Sequence, residues 1–186
     1  KQIENQHDLS LKHQQWLVKN FSNVEAHTIS LDKLFETFSL TLNKFDNEHG
    51  FANSRARLRM TTLYQVAAAN KGIVVGTGNK VEDFGVGFYT KYGDGGVDIS
   101  PIADCNKTEV WELGKELGIL KEIIDAQPTD GLWDDGRTDE GQLGFSYNEL
   151  EDAMINPDSP HKAKYEKIRK QNLHKMDPIP VCKIPS

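Results

Sequence analysis

The chain has 186 residues, of which 37% are hydrophobic and 27% charged, a composition typical of a single globular domain. Its formal net charge of −6 excludes a general nucleic-acid binder, because such proteins present clustered positive charge. No stretch approaches the ~20 consecutive apolar residues of a membrane span. Two cysteines, Cys105 and Cys182, are too few for a disulfide framework or a zinc site, and they indicate a reducing, cytoplasmic setting.

Hydrophobic spacing predicts that the N-terminal part of the chain is mostly helical. Asn53 or Ser54 can cap the longest of these helices, and Gly72 can end it. Residues 24–31 alternate in character and are predicted to form a strand. The predicted helices cover residues 8–21, 34–45 and a stretch from residue 53 or 54 to about residue 70.

After Gly72 the pattern indicates strands followed by helices, which is typical of an α/β fold with a parallel sheet. Ile73–Val75 is a continuous apolar run that fits a strand buried on both faces, and residues 97–99 are a weaker strand candidate. Asn106 and Glu109 form a capping-box pattern at a helix start. Residues 127–144 are rich in Gly and Asp and are predicted to form a mobile loop. Further helices are predicted from 107 to Gly118 and over 121–125, 147–154 and 161–173.

Thr77 and Glu82 follow the apolar run directly and suggest a phosphate or metal site. In an open parallel sheet, ligands bind beyond the carboxyl ends of the strands. Thr77 can present a hydroxyl and a backbone N–H there, and Glu82 can hold Mg²⁺, which takes few protein carboxylates and relies on substrate phosphates. The alternative is a Thr that satisfies a turn beside a solvated Glu, and the pattern alone favours this alternative.

The segment that follows contains five glycines within residues 85–96. Glycines let a backbone approach a ligand closely, and Lys91 offers a positive charge to phosphate or carboxylate. Asp94 lies between glycines, so we expect no neighbour to bury it, and it can accept a proton. Because Gly-Asp-Gly is also turn chemistry, a β-hairpin turn is an equal alternative.

Basic residues elsewhere are candidate anion ligands. Arg55 and Arg59 share one helical face, whereas Arg57 points elsewhere. Lys107 lies in the first turn of a helix, where anions bind readily. The alternatives are a solvated basic face for the arginines, an incidental cation at Lys107, and helix C-capping for the pair His174-Lys175.

Together these segments resemble the NAD synthetase family, ammonia-using ligases that make NAD from its nicotinic-acid form. The most specific string is Thr-Lys-Tyr-Gly-Asp-Gly-Gly at residues 90–96. The other matching strings are residues 53–64, Gly76-Thr77 with Glu82, Phe88-Tyr89 with Asp98, residues 127–132, and His174-Lys175.

The resemblance implies a Rossmann-like α/β fold of the adenine nucleotide alpha-hydrolase-like type, an open parallel sheet flanked by helices. It implies that residues 1–186 are the C-terminal portion of a single synthetase domain. The domain is expected to be N-terminally incomplete, because the family's Ser-Gly-Gly-x-Asp-Ser phosphate loop has no counterpart here. The resemblance also implies a homodimer with the dinucleotide across the subunit interface.

The chemistry implied by the resemblance has two steps. ATP adenylates the carboxylate of deamido-NAD and releases pyrophosphate, and ammonia then displaces AMP. Asp94 matches an acid that receives ammonium and takes its proton, Glu82 matches a Mg²⁺ ligand, and residues 127–144 match a closing loop. The ATP positions are Thr77, Lys107 and Thr129, and the deamido-NAD positions are Arg57, Lys91, Asp98, His174 and Lys175.

Two other functions stay open at this point. Another ATP-pyrophosphatase amidotransferase, such as a GMP or asparagine synthetase, is disfavoured by the string at residues 90–96. A catalytically inactive fragment, or a dinucleotide-binding module without the phosphate loop, is favoured by the missing motif.

Overall fold

A computed structural model describes residues 4–133 and 135–184. Within these residues, regular structure is helical apart from one pair of bridged residues. No helix among them is long and apolar enough to cross a membrane. The α-helices are α1 (Glu4–Asn20), α2 (Asp32–Thr41), α3 (Glu48–Ala69), α4 (Lys107–Glu116), α5 (Lys121–Ile124), α6 (Asp139–Leu143), α7 (Tyr147–Ile155) and α8 (Lys162–Met176), with a 3₁₀ turn at Asn43–Phe45 and a π-helix at Lys80–Val86.

The N-terminal helices lie close to their predicted positions, but the strand predicted at residues 24–31 is wrong. These residues are irregular and connect α1 to α2. Their alternating pattern does not form a strand because no described segment pairs with them along a ladder. Ile29, one of the alternating apolar residues, is more than half exposed.

Helix α3 begins earlier than the capping prediction placed it. Asn47 is the N-cap, and its side-chain oxygen accepts a hydrogen bond from the Gly50 N–H at 2.7 Å. Asn53 and Ser54 lie inside the helix and donate to carbonyl oxygens four residues earlier. The predicted end is confirmed, since the Gly72 N–H bonds the Ala67 carbonyl at 2.8 Å.

The only β-bridge in the described chain is parallel and joins Val75 to Ile99, in the direction that the sequence predicted. The Gly76 N–H donates to the Ile99 carbonyl at 2.7 Å. Val74 is buried at 6% exposure, but Ile73 and Val75 are 60% and 53% exposed. Burial on both faces is therefore wrong for this segment as described, and an open sheet beyond the bridge stays a prediction.

The predicted helices after residue 106 are confirmed within a few residues, and one more is present. The Asn106 N–H donates to Glu109 at 2.7 Å, as a capping box requires. Helix α6 interrupts the loop predicted over 127–144, so a continuous loop there is wrong. Thr138 caps α6 by accepting from the Gly141 N–H at 3.1 Å, a signal that the Asp- and Gly-rich composition concealed.

The main hydrophobic core lies where the π-helix packs against α7 and α8. The π-helix ends at Val86, and most of the glycine-rich segment follows it directly. The core therefore fixes the start of that segment. Its buried members are Val81, Val86, Leu143, Phe145, Tyr147, Leu150, Ala153 and Tyr165.

Candidate active site

Glu82 lies on the first turn of the π-helix, which Asn79 caps. The Asn79 side-chain oxygen accepts from the backbone N–H groups of Val81 and Glu82, both at 3.0 Å. Its amide nitrogen in turn donates to Glu82 Oε2 at 2.5 Å. This cap holds the Glu82 carboxylate through residues that are close to it in sequence.

Three elements meet at the other oxygen of this carboxylate. Glu82 Oε1 accepts from Lys107 Nζ at 2.9 Å and from the Tyr147 hydroxyl at 2.5 Å. The side chains of Glu82 and Lys107 are each only 16% exposed, so this is a largely buried ion pair. Asp139 Oδ2 lies 3.3 Å from the same hydroxyl. We call Glu82, Lys107, Tyr147 and Asp139 the Glu82 cluster.

Sequence reasoning missed Tyr147 and Asp139. Tyr147 is 1% exposed, and desolvation followed by the charge of Glu82 raises its pKa, so the hydroxyl stays protonated. Burial, with Glu82 and Asp130 as further causes, raises the pKa of Asp139 to about 6. The usable signal was the pattern Ser146-x-x-Glu149, a capping box that starts α7 one residue before Tyr147.

The Glu82 cluster fits a divalent cation that also binds phosphate. Glu82 Oε1 already pairs with a cation, the Lys107 ammonium. Among the described residues, no group of three or more His, Cys, Asp and Glu could hold a metal by itself. A single carboxylate is the protein contribution that Mg²⁺ accepts when substrate phosphates supply further ligands.

Asp94 lies in the segment of residues 90–96, which we call the Asp94 loop. The residue as a whole is exposed, but its carboxyl turns back and accepts the Thr90 N–H at 3.0 Å. Desolvation raises the pKa of Asp94 from its ordinary value, against the opposing effects of backbone hydrogen bonds and Lys175. The residue is thus exposed, as expected, although its carboxyl group is hydrogen-bonded to the backbone and partly desolvated.

Close packing shapes the Asp94 loop, and it is not a β-hairpin. A Cβ at Gly93 would lie 2.9 Å from Ala56 on α3, and one at Gly95 would lie 2.3 Å from the Tyr89 ring. Tyr92 has a φ of 65°, a left-handed conformation that is uncommon and strained for a bulky residue. The loop thus lies directly on α3.

Backbone carbonyls connect helix α8 to the Asp94 loop and to the segment just before it. Lys175 Nζ donates to the carbonyls of Gly87 at 2.7 Å and Tyr89 at 2.9 Å, and Lys91 Nζ donates to the His174 carbonyl at 2.6 Å. Desolvation lowers the pKa of Lys175, while Asp94 opposes this shift. His174 itself is exposed, and its ring contacts the Gln171 carbonyl. C-capping alone does not describe this pair, because Lys175 reaches across to another segment.

Arg55 and Arg59 lie on one face of α3 and Arg57 lies on another, as their spacing predicted. Arg55 donates to the Leu132 carbonyl at 2.6 Å and Arg59 to the Gly131 carbonyl at 3.1 Å. Arg57 is exposed on another face, and its Nε donates to the Lys91 carbonyl at 3.1 Å. A solvated basic face is therefore the wrong interpretation of Arg55 and Arg59, which hold the loop before α6.

Three predicted residues, Thr77, Thr129 and Asp98, belong to neither the Glu82 cluster nor the Asp94 loop. Thr77 is exposed after the bridged segment, and Thr129 is half-buried in the loop before α6. Asp98 accepts the Val74 N–H at 2.7 Å and hydrogen-bonds Tyr64 on α3. A groove of about 510 Å³ lies between α3 and the Asp94 loop and is lined by Met60, Thr61, Tyr64, Gln65, Tyr92 and Gly96.

Asp83 is a further acid that the sequence did not single out. Desolvation, with the charges of Asp94 and Glu82, raises its pKa to about 7. Its carboxylate lies against Gly78, where a Cβ would approach Asp83 Oδ2 to 1.8 Å. Asp83 therefore interacts electrostatically with both the Glu82 cluster and the Asp94 loop.

The chain is similar to known proteins both in sequence and in fold. The sequence model of the family described as NAD synthase matches residues 2–183. The chain belongs to the NAD synthase family. Both the Glu82 cluster and the Asp94 loop lie inside the matched residues, so the synthase family match covers the whole candidate site.

Individual relatives agree with the NAD synthase match. The chain is 41% identical to the NH(3)-dependent NAD(+) synthetase of Carboxydothermus hydrogenoformans over 75% of this chain and 58% of that protein. It is 45% identical to the enzyme of the same name from Alkaliphilus oremlandii over 72% of this chain and 53% of that protein. The chain thus spans little more than half the length of these relatives.

A solved structure, that of NMN synthetase from Francisella tularensis, matches with a TM-score of 0.87 and 31% identity. The match covers 98% of this chain and 75% of that one. The chain therefore shares the fold of that structure, although its own described residues contribute a single parallel bridge.

Proposed function

We propose that the protein containing this chain is a ligase that forms NAD from deamido-NAD, ATP and ammonia. The observation that carries the proposal is the NAD synthase family match over residues 2–183. The ammonia-dependent names of the relatives support the nitrogen donor. Residues 1–186 would be the C-terminal portion of one synthetase domain, and an inactive module is the less supported alternative.

In this proposal the Glu82 cluster binds ATP and its cation. Lys107 and Thr129 contact the nucleotide together with Thr77, and Glu82 binds Mg²⁺. The cation would neutralise phosphate charge as the substrate carboxylate attacks the α-phosphorus and pyrophosphate leaves. The ion pair of Glu82 and Lys107 supports these roles, because it holds one anion ligand and one cation ligand together.

The Asp94 loop and α8 bind deamido-NAD and ammonia. Arg57, Lys91, Asp98, His174 and Lys175 are the proposed dinucleotide ligands, along the groove beside α3 and Tyr92. Asp94 attracts ammonium and accepts one of its protons, so that neutral ammonia attacks the acyl-adenylate carbonyl and AMP leaves. Desolvation raises the pKa of Asp94, which makes its carboxylate a stronger base than an ordinary aspartate and supports this role.

Residues 127–144 are proposed to cover the reacting groups, since water would destroy an acyl-adenylate. Arg55 and Arg59 already tie this segment to α3. We also propose a homodimer with α3 at its interface. The exposed apolar surface of Leu63 and Tyr64 on α3 supports this arrangement.

The match to the Francisella tularensis structure supports a second candidate product, NMN, formed by the same chemistry on a mononucleotide. The two candidates differ in the length of substrate that the groove must hold.

The test uses the full-length protein with ATP, Mg²⁺ and ammonia, and compares the deamidated dinucleotide with the deamidated mononucleotide. We expect kcat/KM to favour the dinucleotide, with one AMP and one pyrophosphate formed for each NAD. A preference for the mononucleotide would replace the substrate assignment. Absence of AMP formation with either substrate would refute the ligase assignment.

A further inference from the structure

Tyr147 contacts the proposed cation ligand but has no role in the reaction as proposed so far. Its hydroxyl lies 2.5 Å from Glu82 Oε1, and its ring packs edge-on against Trp111 with centroids 5.7 Å apart. The residue is 1% exposed, and its backbone N–H is held by Glu140 at 3.0 Å. The hydroxyl therefore has a fixed position relative to the Glu82 carboxylate.

Glu82 Oε1 has two donors, and they respond differently to a bound cation. Lys107 carries a positive charge, so a cation on Glu82 repels it, and the proposed function moves it to the nucleotide phosphates. Tyr147 instead donates from an uncharged hydroxyl, which a cation on Glu82 does not repel in the same way. Of the two donors on Oε1, the tyrosine is therefore the one that can keep orienting this oxygen when the cation is bound, while Asn79 continues to hold Oε2.

We propose that Tyr147 is a positioning residue, which holds the Glu82 carboxylate toward the cation when Lys107 leaves it for phosphate. This inference rests on the proposed function. Hydrogen-bond donors behind a metal ligand restrict its orientation, and their loss typically costs about 10–100-fold in metal affinity.

Asp139 extends this arrangement to the loop proposed to cover the site. Its Oδ2 lies 3.3 Å from the Tyr147 hydroxyl, and its Oδ1 is buried without a hydrogen-bond partner. One hydroxyl proton cannot satisfy two carboxylates, and the shorter distance assigns it to Glu82. Tyr147 therefore lies between the proposed cation ligand and helix α6.

The experiment measures Mn²⁺ binding to the full-length protein in the presence of ATP, by electron paramagnetic resonance, beside steady-state kinetics in Mg²⁺. We expect Tyr147→Phe to weaken Mn²⁺ binding about 10-fold or more and to raise the Mg²⁺ concentration needed for half-maximal rate. The kcat at saturating Mg²⁺ should change much less. Tyr165→Phe is the matched control, because Tyr165 is another buried tyrosine of the same core.

A double-mutant cycle with Glu82→Gln decides whether Tyr147 acts through Glu82. In the Glu82→Gln background, Tyr147→Phe should add no further loss of Mn²⁺ affinity. The inference is overturned by an unchanged affinity in folded Tyr147→Phe, by an equal loss in Tyr165→Phe, or by a full additive loss in the double variant. Because these results are read from binding, they stand apart from the substrate assay, whose failure would refute the proposed function alone.

Discussion

Charged side chains in the Glu82 cluster pair with one another, whereas those around the Asp94 loop pair mostly with the backbone. Glu82 meets an ammonium and a hydroxyl on a single oxygen. Lys91 and Lys175 instead donate to main-chain carbonyls. The first region therefore depends on charge balance, while the second uses charged groups chiefly to fix the path of a loop.

The largest expected effect tests whether Asp94 takes part in the reaction, unlike the lysines nearby that chiefly hold the backbone. In the full-length protein, Asp94→Asn keeps the shape of the side chain but removes its charge and its basicity. We expect kcat for NAD formation to fall about 10²–10⁴-fold while adenylation continues. The measurement is pyrophosphate release beside NAD formation at saturating ammonia.

Asp98→Asn is the comparison variant, because Asp98 lies in the adjoining segment and is proposed to orient the dinucleotide. It should mainly raise the KM for deamido-NAD. If Asp94→Asn slows pyrophosphate release and NAD formation equally, Asp94 belongs with the residues that only shape the loop.

The next effect tests the charge balance of the Glu82 cluster through pH. The pKa of Asp139 is raised to about 6, so its ionisation is less favourable in the folded state than in the unfolded chain. Its contribution to stability is fully present below about pH 4 and is lost as pH rises through about 6. Glu82 and Asp130 add to this shift, and Lys107 opposes it.

We therefore expect Asp139→Asn to gain roughly 2–3 kcal/mol of unfolding free energy over wild type between pH 4 and pH 7.5. Urea unfolding in a chelating buffer at both pH values measures this difference. Asp135→Asn is a control, since Asp135 is exposed and paired with Arg137. Parallel pH curves for wild type and Asp139→Asn would contradict the charge-balance account.

The smallest effect tests the backbone contacts of the segment that leads into the Asp94 loop. Lys175→Met keeps much of the aliphatic side chain but leaves the carbonyls of Gly87 and Tyr89 without their donor. Because such carbonyls are costly to leave unpaired, we expect a loss of about 1–3 kcal/mol of unfolding free energy. Lys170→Met, at an exposed position of the same helix, should stay within about 0.5 kcal/mol. Equal small losses in both variants would show that the carbonyl contacts of Lys175 contribute no measurable stability.

Local patterns predicted the features that depend on neighbouring residues in the sequence. Helix periodicity, the Asn106 capping box and the stop at Gly72 are confirmed because short-range hydrogen bonds decide them. The division of Arg55 and Arg59 from Arg57 follows from helix geometry alone.

Features that depend on distant partners could not be predicted in this way. The strand at residues 24–31 failed because alternation describes a strand only when another segment pairs with it. Tyr147 and Asp139 went unnoticed because their chemistry comes from contact with Glu82, 65 residues away from Tyr147. The desolvation of Asp94 likewise depends on surroundings that its glycine neighbours do not reveal.

The packing of Gly93 and Gly95 has a consequence for mutational tolerance. Any side chain at these positions would clash with Ala56 or with the ring of Tyr89, whereas position 94 between them already accommodates the side chain of Asp94. In a saturation library scored for both protein abundance and growth, substitutions at 93 and 95 should fail in both scores. Small polar substitutions at 94 should keep abundance and lose growth, which would mark Asp94 as a residue retained for its reactivity.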